Sequence, residues 1–128
     1  MNRDMDLVRK LLAYFDDKPD PGLIEKPQVD GYDETTIQNH LILMFDAGLL
    51  RAEPMRSSTS DRIIRVLPFD LTWQGHEFLD KIRDEGVWQR VKSTVAAKSI
   101  PLTFELASSL ATKIALRVIG DNVTPHGS

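Results

Sequence analysis

Seven side chains in this sequence have the chemistry to read or grip a nucleic acid. Thr35, Gln38 and Asn39 are spaced to share one helix face, and a side-chain amide can pair in a bidentate way with an adenine edge. Arg51, Arg56, Arg62 and Arg65 outnumber Glu53 and Asp61 across residues 51–66, and guanidinium groups on an Arg- and Ser-rich ribbon can track phosphates or enter a minor groove. The bland alternative is a solvated hairpin whose arginines keep its edges from pairing with another chain. At about 100° per residue, Thr35, Gln38, Asn39, Ile42 and Asp46 fall opposite Ile37, Leu41 and Met44, with Leu43 at the margin. That face is poorly suited to phosphate, because residues 33–47 hold Asp33, Glu34 and Asp46 and no Lys or Arg, a local charge of −3. Ile42 and Leu43 suit a covered face instead, under the C-terminal helices or a protein partner.

Catalytic and metal chemistry find no such groupings. His40, His76 and His126 include no pair at the i, i+4 spacing of a helical zinc site. His40 lies at the edge of an apolar stripe and His76 at a helix start, so both read as structural. Asp16, Asp17 and Asp20 lack the ligand order and glycine of a calcium loop and read as a solvated turn. There is no cysteine, hence no disulfide, thiolate ligand or thiol nucleophile. Ser57, Ser58, Ser60, Ser108 and Ser109 have no base beside them in sequence, and no phosphate-binding or nucleophile-elbow motif occurs. The expectation is a protein that binds rather than catalyses, with no catalytic residue, metal or cofactor.

The elements that must position these residues follow from periodicity. Met5, Val8, Leu11, Leu12 and Phe15 predict a helix over 3–16, stopped by the Asp16–Gly22 run with its two prolines. Residues 23–32, with Pro27, predict a loop. Asp33 caps a second helix carrying Ile37, Leu41, Met44 and Phe45, which Gly48 ends. Short strands over 49–53 and 62–67 flank a polar tip, and Pro68 closes the hairpin. Thr72 caps a third helix with Phe78, Leu79 and Ile82, interrupted at residues 84–86. Val87, Val91 and Val95 predict a fourth helix to about Lys98, and residues 103–119 a fifth, whose Ala107 and Ala111 permit close helix approach. Trp73 and Trp88 are expected in the core. Phe104, Leu116 and Ile119 carry apolar character beyond one face of the last helix, enough for a homodimer contact, although packing back on the chain is the simpler expectation.

A chain of 128 residues is one ordinary domain, and 41% apolar with 27% charged residues is a globular composition. A net charge of −3 gives no general attraction to phosphate, so a nucleic-acid role needs a local basic patch. The charged opening and the absence of any long apolar run predict neither export nor membrane anchoring, and a cytoplasmic setting.

Helix, turn-rich segment, helix ending in Asp46-Ala47-Gly48-Leu49-Leu50, hairpin, then Leu71-Thr72-Trp73-Gln74-Gly75-His76 opening another helix is the element order of a winged-helix, helix-turn-helix domain. His40–Leu49 resembles the end of the recognition helix of winged-helix repressors, and Leu71–Leu79 their post-wing helix. Two departures stand out: those repressors often carry Lys or Arg where this chain has Ile42, Leu43 and Phe45, and residues 22–32 offer no supporting middle helix. More narrowly, Met1–Lys10, Leu71–Leu79 and Ile82–Trp88 resemble an uncharacterised domain family of phages, prophages and bacteria. The resemblance implies a winged-helix-like domain in a mobile-element setting and supplies no activity. The expected fold is thus α+β and mostly helical: a winged-helix-like domain over 1–98, a C-terminal helix over 99–119 packed on it, and a flexible tail over 120–128. The expected partners are DNA, for a transcriptional regulator, or a host or phage protein, for an accessory or host-defence-inhibiting interaction module.

Overall fold

The computed structural model describes residues 3–20, 22 and 26–123, with side chains as far as Gly120. Met1 and Asn2 of the resemblance, Pro21 of the helix-stopping run, His126 and the end of the tail lie outside the described residues. The described chain is mostly helical and α+β: α1 Met5–Asp16, α2 Glu34–Asp46, β1 Leu50–Arg56, β2 Ile63–Leu71, α3 Trp73–Ile82, α4 Glu85–Ala97 and α5 Phe104–Val123. It divides into two compact units, Met1–Leu79 and Asp80–Ser128. Within the second unit α4 packs against α5.

In the first unit, Asp4 sits in extended backbone and accepts the Leu7 N–H at 3.1 Å, satisfying a donor that α1 would otherwise leave orphaned. The helix buries Met5, Leu7, Val8, Leu11, Leu12 and Phe15. Asp33 starts α2 in the same way, accepting the Thr36 N–H at 2.8 Å. Ile37, Leu41 and Met44 are buried, as their spacing requires. At the far end the Gly48 N–H donates to the Phe45 carbonyl at 3.0 Å and the Leu49 N–H to the Met44 carbonyl at 2.9 Å. This turn needs a left-handed residue, and Gly48 supplies it at φ 77°.

The chain turns directly into an antiparallel ribbon, paired from Leu50↔Leu71 to Arg56↔Ile63. Both strands outrun their predicted ends, through Pro54 and Pro68. In a two-stranded sheet each strand has one unpaired side, where proline's missing N–H costs no ladder bond. Register shifts between Arg51 and Ala52 and between Met55 and Arg56 leave Phe69 and Ile64 as extra residues on β2. The Phe69 carbonyl accepts from Lys18 Nζ at 2.7 Å. Leu50 and Leu71 are buried at the root of the ribbon, and Val66, opposite Pro54 toward its outer end, is fully buried as well.

Thr72 secures the root. Its N–H donates to the Leu49 carbonyl at 3.0 Å, while its hydroxyl donates to the Gly48 carbonyl and accepts the Gly75 N–H at 3.0 Å, capping α3. Gly75 packs so closely that a β-carbon there would lie 2.2 Å from the Leu49 carbonyl oxygen and 3.3 Å from Leu71 Cβ. Phe78 and Leu79 are buried on the same side of α3. Trp73 falls opposite them, and its expected place in the core is corrected: it is 73% exposed, with its indole N–H donating to Glu77 Oε1.

In the second unit, Asp84 accepts the Val87 N–H at 2.9 Å, so the predicted interruption is a helix end followed by a capped start. α4 buries Trp88, Val91 and Val95, the expected stripe. It closes with the same turn as α2, but with Ser99 at φ 55° in the glycine position. Ala107 and Ala111 of α5 are fully buried, and Lys81 Nζ donates to Ser108 Oγ at 3.0 Å. The helix continues past its predicted end at Ile119 to Val123, and Leu116, Val118 and Ile119 are exposed.

Candidate functional site

The nine candidate residues separate into three groups. Arg51, Arg56 and Arg62 are exposed along the ribbon. Arg56 Nη1 donates to the Asp61 carbonyl at 2.7 Å and the Ser57 N–H to the Arg62 carbonyl at 2.8 Å, closing the tip. Thr59 N–H donates to Ser57 Oγ at 3.2 Å within it. Among the described residues the side chains of Arg51 and Arg62 form no ion pair.

Arg65 parts from that group. It is half-buried, its Nε has no hydrogen-bond partner among the described residues, and its charge reaches Glu34 at the start of α2. The Glu34 carboxyl is held below its ordinary range chiefly by the hydrogen bond and charge of Lys26, 2.6 Å away, with Arg65 adding to the effect. Arg65 is thus less open to solvent than Arg51, Arg56 and Arg62.

On α2 itself Thr35 is exposed, whereas Gln38, Asn39, Ile42 and Leu43 are half-buried. Gln38 Oε1 is buried with no hydrogen-bond partner among the described residues. Asp46 is exposed at the end of the helix, and Asp33 at its start is held ionised to unusually low pH by its hydrogen bonds to Thr36. The amides are thus less available than the helical wheel suggests, and the open positions on this face are neutral Thr35 and acidic Asp46.

A further polar group escapes the sequence reading. The Asp4 N–H donates to His40 Nε2 at 2.8 Å, which makes Nε2 an acceptor. Nδ1 must then carry the proton, and it donates to the Thr36 carbonyl at 2.8 Å. His40 is fully buried in this neutral tautomer. The Tyr32 hydroxyl donates to Asp4 Oδ2 at 2.7 Å, and Lys10 Nζ lies 5.7 Å from the Tyr32 ring centroid. The hydrogen bond to Asp4, then burial and the charges of Asp4 and Asp6, push the Tyr32 phenol up to about 12. These hydrogen bonds tie α1, the loop before α2 and α2 together. Beside it a cleft of about 370 Å³ is walled by Lys26, Pro27, Asp30, Tyr32, Glu34 and Ile37.

His76 Nδ1 lies 3.4 Å from Asp16 Oδ1 at a half-exposed site. Among the described residues no three His, Asp or Glu side chains converge as metal ligands, and no helix is long and apolar enough to cross a membrane.

Two comparisons bear on this surface. A family described as "Hypothetical protein (DUF2513)" matches residues 2–101. An "Uncharacterized protein" of Haemophilus influenzae is 33% identical over 120 residues, covering 93% of this chain and 99% of the relative. No solved structure matches.

Proposed function

The chain belongs to the hypothetical-protein family DUF2513, whose description carries no activity, and we propose from its own surface that it is a small winged-helix-like protein that binds DNA as a regulator. The phage or prophage setting of this reading rests on the sequence resemblance described above. The observation that carries DNA as the target is the ribbon: Arg51, Arg56 and Arg62 are exposed along it. Its root is held to the end of α2 and the start of α3. Contact would be led by phosphate, because α2 offers Thr35 in the open, its amides half-buried and no cation. Fluorescence anisotropy with duplex DNA across a salt series tests this. Affinity should fall steeply with salt, and replacing Arg56 and Arg62 by Ala should weaken binding to all sequences and flatten the salt slope by about 1 per arginine. An unchanged slope rejects the ribbon as the phosphate contact.

A second reading, a protein-interaction module of phage or host, is favoured by one observation. The outer face of α2 combines half-buried Ile42 and Leu43 with acidic Glu34 and Asp46. Ile42→Asp should then abolish partner capture while the helical circular dichroism is kept, and retained capture rejects this surface. Self-association through α5 would use exposed Leu116 and Ile119, and sedimentation of Leu116→Asp against the parent decides it.

A further inference from the structure

The outer half of the ribbon exposes more than charge. Met55 is 45% and Ile64 51% exposed, far from the near-zero values of Leu50 and Leu71 at the root and of Val66 one rung inward. Ile64 is the extra residue of the outer bulge, lying between the Met55↔Arg65 and Arg56↔Ile63 pairs. A bulge of this kind re-aims a side chain and twists the strand, and here it coincides with an apolar side chain held out of the core. Exposed Arg56 follows Met55, and exposed Arg62 precedes the Ile63-Ile64 pair, so along the chain each apolar group has an arginine within two residues. Asp61 is the acid at the tip, and its carbonyl oxygen already accepts from Arg56.

Cations that hold a phosphate backbone on either side of a compact apolar projection match the needs of a minor-groove wedge. The arginines anchor the two strands' phosphates or the groove floor, and an unbranched or β-branched aliphatic group enters between base pairs and partly unstacks them. We propose that Met55 and Ile64 form such a wedge, so that the ribbon kinks DNA at the step it enters rather than lying along an undistorted groove. This rests on the DNA reading above and adds how the DNA is deformed. Flexible pyrimidine–purine steps within A·T-rich sequence, which unstack most readily, are the targets it would favour. A solvated ribbon tip would show neither preference nor bend.

The test uses the full chain and duplexes of about 20 base pairs, two helical turns, carrying fluorophores at both ends, with either a central TA step or a G·C-only centre. Binding is read by anisotropy and bending by energy transfer between the ends. The wedge predicts increased transfer on binding to the TA duplex, and tighter binding there than to the G·C duplex by about tenfold. Replacing Ile64 and Met55 by Ala should remove the transfer change while leaving the salt slope that counts phosphate contacts as it was. Ile64→Phe, a larger wedge at the same exposed position, should restore or enlarge the bend. Binding by the parent chain without added transfer, or a bend that survives Ile64→Ala and Met55→Ala together, overturns the wedge and leaves the DNA reading standing. No binding to either duplex at about 50 mM salt overturns both.

Discussion

The two ends of the β-ribbon share one backbone ladder and differ in what surrounds it. At the root, the Gly48 and Leu49 carbonyls are taken by Thr72, Gly75 fits against Leu49, and Leu50 and Leu71 are buried opposite each other. The His40, Tyr32 and Asp4 group is equally self-contained. At the tip, two exposed apolar side chains lie among exposed arginines. Residue types alone would rank these regions the other way, since histidine, tyrosine and aspartate in contact resemble reactive machinery and a Met and Ile pair resembles core. Saturation of polar atoms separates a structural cluster from an available one.

Gly75→Ala should break the closed end most severely. Its methyl would meet the Leu49 carbonyl oxygen at 2.2 Å, a contact with backbone that no side-chain rotation relieves. A loss of about 4 kcal/mol or more in chemical denaturation, or failure to fold, is expected. A change under about 1 kcal/mol would mean the root is slack. His40→Leu comes next, because it leaves the part-buried Asp4 N–H without its acceptor, while the Thr36 carbonyl keeps its backbone bond within α2. About 1–3 kcal/mol follows from one unsatisfied group, and a neutral result would show that water reaches it.

Tyr32 sharpens the same contrast through pH. Its folded value stands above the ordinary phenol value, so its contribution to stability is complete below pH 10.0 and is lost as pH rises toward about 12. Phenolate absorbance should show one tyrosine titrating late, and Tyr32→Phe should remove that step. The smallest effect belongs to the open end, where Met55→Ala should move stability by less than about 0.5 kcal/mol. A larger loss would place Met55 in the core after all.

The local parts of this architecture were legible in the sequence, because their causes lie within a few residues. Asp33 and Gly48 bracket α2 through bonds spanning three to five positions, and the valines of α4 declare its buried face. What escaped depends on distance in the chain. The Asp4 carboxylate finds Tyr32, 28 residues away, and the Asp4 N–H finds His40, 36 away. No periodicity encodes such pairs. Arg65 has the same residue type as its neighbours on the ribbon, and only the fold half-buries it. Pro68 read as a stop because a lone strand gives no sign of which side its partner will occupy. Trp73 stands beside apolar positions in sequence, although Gly75, the residue that admits close packing there, lies on the opposite side of α3.

The clasp of Thr72 and Gly75 on the Gly48 and Leu49 carbonyls also has a mechanical side. With seven residues in β1, the ribbon runs about 20 Å from this pinned base. Val66, fully buried opposite Pro54, gives it a second hold nearer the far end, so a push delivered at the serine-rich turn is met there before it reaches the clasp.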